Sequence, residues 1–305
     1  MHEEVTAALL CALRQPGRSP GRLLLTGWFS FRDGEATAGD VLAQRHASAE
    51  LTRAGIRHDT AWSPGFRPGE LSLETARPEA YDTMLFVCGP VHGPQVTALH
   101  ARFRTCRRLA AGVSVVDPAD PAATGFHEII ARDGTAAPAR RDLAAPARRD
   151  LAAPAAAGPL PPVVGVVLSH GQGEYGARRR HDEVNARLTG WLAGKDCARL
   201  SADTRLAADD WRLCATAEQF LALVSRCDLV VTTRLHGLVL ALRTGTPVIA
   251  VDPVAGGAKV GAQARAVGWP ALVDAGALSE EVLDHWWRWA LSGAGRLAAA
   301  RHSVR

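Results

Sequence analysis

Lysine, tyrosine, methionine and paired cysteine are what this chain has least of. Lys195 and Lys259 are its only lysines, so arginine carries nearly all the positive charge. Set in so much Ala, Gly, Pro and Arg, that bias suits a GC-rich coding sequence, and a lysine retained against it is a functional candidate. The six cysteines show no C-x-x-C pair and no histidine at zinc spacing. A zinc site and a disulfide framework are therefore not expected, and the thiols read as reduced and structural. No apolar run approaches the roughly 20 residues of a membrane span. The opening Met1-His-Glu-Glu-Val lacks a signal-peptide pattern, so a cytoplasmic protein without an integral membrane segment is expected. The net charge is only +4, and half of it sits among Arg140, Arg141, Asp142, Arg148, Arg149 and Asp150. That is too little, and too localised, for a nucleic-acid footprint.

What is present is an ordinary globular composition, 47% hydrophobic over 305 residues. That length suits two medium domains, each burying its own core. In the first, His2–Arg14 reads as a helix and Arg22–Thr26 as a strand. Gly39-Asp40 opens a helix over Val41–Ala54 that Gly55 stops, and Ile56–Trp62 begins another strand. Tyr81–Cys88 is the best strand of this half. Gln95–Ala110 is expected to be a helix, and Val113–Val116 and Phe126–Ala131 strands. Then Ala136-Ala-Pro-Ala-Arg-Arg-Asp-Leu143 recurs unchanged at Ala144–Leu151, with Ala152-Ala-Pro-Ala155 starting a third copy. Pro, Ala and like charge at that spacing give an extended linker, not a solenoid. Beyond it, Val163–Leu168 is a strand and His181–Leu192 a helix. Thr216–Gln219 is a capping box opening a helix to Arg226. Lys259–Val267 and Ser279–Leu291 are helices flanking a strand near Ala271–Val273. The expected architecture is α/β, with two Rossmann-like domains facing across a cleft. They span residues 1–134 and 161–305, with a linker over 135–160.

The most informative stretch is Cys227–Asp252. Leu229–Val231 reads as a buried strand, Thr232–Gly237 as a polar turn, Leu238–Arg243 as a short helix stopped by Gly245, and Val248–Val251 as a second buried strand. Ligands of parallel sheets sit outside the carboxyl ends of strands, which is where Arg234, His236 and Gly237 fall. A guanidinium, an imidazole and free helix-start amides can hold an anion. The same residues also admit a structural role, in which Arg234 pairs with Asp228 or Asp252 and His236 caps the helix.

The run Cys227-Asp-Leu-Val-Val-Thr-Thr-Arg-Leu-His-Gly237, then Thr244-Gly-Thr-Pro-Val-Ile-Ala-Val-Asp-Pro253, then Lys259-Val260, resembles the polysaccharide pyruvyl transferase family. Looser likeness extends to Gly39-Asp40, Asp82–Cys88 and Arg132-Asp133. The resemblance implies a glycosyltransferase-B-like fold and transfer of the enolpyruvyl carbons of phosphoenolpyruvate onto sugar hydroxyls, with phosphate release. It implies Arg234 and His236 as the donor-binding and catalytic pair, and Lys259 with Thr233 and Gly237 in substrate binding. Phosphoenolpyruvate is a substrate, so no cofactor and no metal is expected. The chain departs from the family pattern at Cys88-Gly-Pro-Val-His-Gly93, where a glycine pair is usual, and at Ser169-His170, where a basic residue is usual.

Other candidates have two readings each. Asp40 caps its helix or orients an acceptor hydroxyl. His92 is a solvated loop residue or an acceptor-side base. Arg132 pairs locally with Asp133 or faces the cleft. His170 lies in a flexible donor-side loop, and Arg178–His181 reads as a solvated helix face. Trp286, Trp287 and Trp289 are too closely spaced to share one helix face. The alternatives to a pyruvyl transferase are a nucleotide-sugar glycosyltransferase and a non-catalytic glycan-binding homologue. No acidic residue lies between Asp252 and Asp274 to clamp a ribose, which weighs against the first. A sugar or small polyol is the expected acceptor, and homo-oligomerisation is left open.

Overall fold

The computed structural model describes residues 10–13, 21–32, 36–134, 160–171 and 173–303. The chain divides into two compact units, Met1–Ala155 and Ala156–Arg305. The octad repeat, and most of the His2–Arg14 segment, lie outside the described residues.

Unit 1 is a five-stranded parallel sheet in the order β2-β1-β3-β4-β5. Its strands are β1 (Leu23–Gly27), β2 (His58–Thr60), β3 (Thr83–Val87), β4 (Arg107–Val115) and β5 (Glu128–Gly134). The helices Ala38–Arg53 (α1), Pro94–Arg102 (α2) and Pro121–Thr124 (α3) lie between them in sequence. Alternation along the strands feeds two cores, one on each face. Leu24, Met84 and Phe86 join one, and Leu23, Leu25, Leu85 and Val87 join the other. Each such side chain contributes about 1.5–3 kcal/mol by leaving water.

Unit 2 repeats the plan in the order β10-β9-β8-β6-β7, again all parallel. Its strands are β6 (Val163–Val167), β7 (Ala198–Ser201), β8 (Leu229–Thr232), β9 (Val248–Asp252) and β10 (Leu272–Asp274). Its helices are α4 (His181–Ala193), α5 (Ala217–Val224), α6 (Leu235–Arg243), α7 (Lys259–Ala266), α8 (Glu280–Ala290) and α9 (Gly293–Ala300). Counted within each unit, both sheets run 2-1-3-4-5. The chain direction across the sheet reverses beside the first strand, which opens a crevice at the carboxyl ends of the first and third strands. In unit 2 those are β6 and β8.

Several expectations are corrected. The helix foreseen over 95–110 ends at Arg102, and residues 107–110 belong to β4. Gly112, with φ 67, sits at a register shift inside that strand, so a bulge looked like a break. Helix α1 starts at Ala38, three residues early, because Thr37 is the true cap. Helix α6 starts at Leu235, so His236 and Gly237 are in its first turn instead of in a loop. Strand β7 and helix α9 were not foreseen. All four residues of β7 are exposed on the sheet edge, so no burial pattern marks it. The three tryptophans all pack partly into the cores: Trp287 meets Trp191, and Trp289 meets Trp269 and Trp286, edge to face.

Candidate functional site

The crevice between β6 and β8 is built by short-range chemistry. Thr232, fully buried, donates its hydroxyl to the carbonyl of Val167 at 2.8 Å and accepts the amide of Arg234 at 2.9 Å. That bond turns the chain out of β8 and into α6. Thr233, also buried, accepts the amide of Ser169 at 2.8 Å and so fastens the end of β6 to the end of β8. Asn185 on α4 completes the fastening by donating to the carbonyl of Ser169 at 2.8 Å. Gly237 is required by packing: a Cβ there would lie 2.2 Å from Thr232 Oγ1 and 3.2 Å from Val167 Cγ1. Thr233 and Gly237 thus shape the corner, and neither projects from it.

Helix α6 has no side-chain cap. Its first intrahelical bond is from the amide of Leu238 to Arg234 O, 3.1 Å. The amides of Leu235, His236 and Gly237 therefore precede the ladder, and none has an acceptor among the described residues. They form the positive end of a helix dipole. His236 is exposed, with no partner among the described residues.

Arg234 is half-buried, and its partner is neither Asp228 nor Asp252. Its Nε donates to Leu168 O (3.1 Å), its Nη1 to Thr204 Oγ1 (3.4 Å), and its Nη2 lies 3.3 Å from Asp203 Oδ1. A guanidinium carries five N–H donors, so two remain for a ligand. Burial pushes the Asp203 carboxyl up, but the Arg205 amide and guanidinium, with Arg234, pull it below its ordinary value. Asp203 was missed in the sequence because it follows β7, the strand that was itself missed. Its place at a carboxyl end of the sheet was the available signal.

Asp228 and Asp252 serve the backbone. Asp228 accepts the amide of Val163 at 2.8 Å. Asp252, fully buried, accepts from Val254 (3.1 Å), Ala258 (2.7 Å) and Gly261 (2.7 Å). It thereby occupies the N-terminus of α7, whereas the starts of α6 and α4 carry no side-chain cap. Lys259 is the first residue of α7, and its Nζ lies 3.9 Å from Glu174 Oε1. His170 is exposed and lines a groove of about 1040 Å³ that runs along β7 and past its carboxyl end, with Leu200, Asp203, Arg205 and the 92% exposed Trp211. In the Arg178–His181 segment the three arginines are exposed, as expected, but they precede α4 instead of lying on it, and only His181 is helical and buried. Arg179 and Arg180 pair with Asp182 and Glu183, while His181 is 1% exposed.

In unit 1, Asp40 accepts the amide of Thr37 at 3.0 Å, reciprocating Thr37's cap of its own amide, so it closes a capping box. His92 Nδ1 contacts the Asp120 carboxylate, which also caps α3 through the amide of Ala122. The Ala122 amide and then His92 hold Asp120 below the usual carboxylate range. Arg132 donates to Ser114 Oγ at 3.1–3.3 Å and to Asp133 at 3.2 Å. Ser114 in turn pairs with the Cys88–His92 turn through Gly89 O and the amide of Val91. That turn is the expected departure: Cys88 has φ 61, followed by Gly89 at φ 71. Among the described residues no group of three or more His, Cys, Asp or Glu side chains could hold a metal ion.

The polysaccharide pyruvyl transferase family matches residues 195–253, a stretch containing Asp203, Arg234 and His236. No curated protein matches the chain. Among solved structures, the glycosyltransferase of kitacinnamycin is 13% identical over 93% of this chain and 94% of its own, with a TM-score of 0.31. The calicheamicin glycosyltransferase CalG4 is 14% identical over 92% and 93%, TM-score 0.33. The E. coli heptosyltransferase WaaC with ADP is 13% identical over 88% and 99%, TM-score 0.27. Likenesses this distant bear on neither substrate nor chemistry.

Proposed function

We propose that unit 2 binds phosphoenolpyruvate and that the protein is a pyruvyl transferase acting on hydroxyls of a sugar or related polyol. The observation that carries this reading is the uncapped start of α6, with three unclaimed amides beside the exposed His236 and the half-buried Arg234. The family match over this same stretch supports a transferase of polysaccharide modification. A small dianion suits the corner: amides and guanidinium together supply directional donors for a carboxylate or phosphate. His236 then gives a proton to the methylene carbon, C2 takes up the positive charge, and a hydroxyl oxygen bonds to C2. The C2–O bond to phosphorus breaks, phosphate leaves, and the hydroxyl proton passes to phosphate or solvent. A second hydroxyl then bonds to the C2 cation left behind and gives its proton to His236, which closes the ketal and restores the acid.

The test is phosphate release from phosphoenolpyruvate with a panel of sugars and polyols. His236→Ala is expected to keep the wild-type melting temperature and to release no phosphate. A fully active variant removes His236 from the mechanism, and a wild-type protein inert with every acceptor removes the reading.

A further inference from the structure

Unit 2 holds a second imidazole that the reading above does not use. His181, first residue of α4, is 1% exposed, and neither ring nitrogen has a hydrogen-bond partner among the described residues. A buried polar atom left unpaired is costly and calls for a missing partner. Its surroundings are charged: Arg179, Asp182, Asp252 and Glu174 all act on the ring. Asn185, one turn along the same helix, donates to Ser169 at the β6 end of the crevice, so this stripe of α4 is directed at the carboxyl ends of the sheet.

What covers His181 is a short strap, Gly173–Arg178. The Tyr175 ring lies nearly parallel to the imidazole, centroids 6.5 Å apart at 23°. One end of the strap is fastened: Arg178 O accepts the amide of Ala255 at 2.8 Å, and the Arg180 amide donates to Pro253 O at 2.9 Å. Gly176, with φ 49 and ψ −129, breaks the strap in two. On the far side of that break Glu174 reaches Lys259 at 3.9 Å. A carboxylate on an ammonium at that separation, both side chains about half exposed, is a weak pair that an anion can displace.

We infer that His181 is a further anion-binding side chain of unit 2, covered by the strap, and that Glu174 stands on Lys259 in the place of an incoming carboxylate or phosphate. Binding the anion frees Glu174, the strap swings about Gly176, and an imidazole nitrogen gains its partner from the ligand. The inference rests on the donor-site reading and adds two residues to it.

Calorimetric titration of the full chain with phosphoenolpyruvate and with inorganic phosphate tests it. Glu174→Gln is expected to tighten binding by about threefold to fivefold, the worth of an exposed ion pair. That gain should vanish in the Lys259→Gln background. His181→Gln is expected to weaken binding about tenfold, the worth of one hydrogen bond. Should that variant unfold, the His181 ring signals of the wild type, followed by NMR, are expected to move on adding phosphate. Equal affinity of Glu174→Gln and wild type, with binding abolished by Arg234→Ala, overturns the inference and leaves the donor site standing. Ring signals unmoved by a saturating anion overturn the role of His181. Absence of binding to every variant and to wild type overturns both readings.

Discussion

At the scale of single residues, the corner after β8 divides its labour by position. Thr232 and Thr233 turn inward to tie strands, Arg234 lies across the rim, and His236 faces out. Gly237 permits this by letting α6 approach the sheet. Gly237→Ala places a methyl carbon 2.2 Å from Thr232 Oγ1 and is expected to cost about 1–3 kcal/mol, read as a lowered urea midpoint. In unit 1, burial and the Asp59 carboxylate push the Tyr81 phenol up to about 12. A group whose folded value is raised contributes stability below its ordinary value and loses it as pH rises through the folded one. Stability is therefore expected to fall between the ordinary value of 10.0 and about 12. Tyr81→Phe should remove that loss and cut the high-pH phenolate absorbance change from two phenols to the one of Tyr175. The motif residues themselves were legible in the sequence because strand, turn and glycine stop are local signals. Their partners were not: Asp203 on Arg234, Glu174 on Lys259 and Asp120 on His92 come from distant segments, and nothing local announces such pairings.

At the scale of elements, the ends of helices decide what is open and what is filled. Asp252 closes α7, Thr37 and Asp40 close α1, and Thr216 caps α5, while α6 stays uncapped. Asp252→Asn keeps the volume but aims an amide group at backbone donors. It is expected to cost about 1–3 kcal/mol and to raise hydrogen exchange at Val254, Ala258 and Gly261. Buried strands such as Val163–Val167 and Val248–Asp252 could be read directly, because both faces demand apolar residues. Edge strand β7 could not, since exposure erases the pattern. The capping box at Thr216 was also legible, with one refinement. Gln219 reaches back to the amide of Ala215, one residue before the cap.

For the whole molecule, each unit carries, among the described residues, one buried histidine whose charged form burial disfavours. Burial first, and then neighbouring cations, lower His100 in unit 1 and His181 in unit 2 below the ordinary 6.5. A lowered folded value gives stability that is present above the unfolded value and lost as pH falls through the folded one. Thermal midpoints are expected to drop as pH falls below the ordinary 6.5, and a His100→Gln, His181→Gln double variant should flatten the drop. A profile unchanged by the double variant would assign the acid limb to carboxylates instead.

The strand order shared by the two sheets also bears on synthesis. Leu23 pairs with Thr83, and Val164 pairs with Leu229. In each unit the opening strand emerges from the ribosome long before its inner neighbour exists, and every pairing is parallel and non-local. The first strand can pair with the second beforehand, but its inner edge stays open until the third strand has been translated. A nascent chain stalled just short of Thr83, or just short of Leu229, would expose a sticky apolar strand, and those two windows are where a chaperone has most to hold.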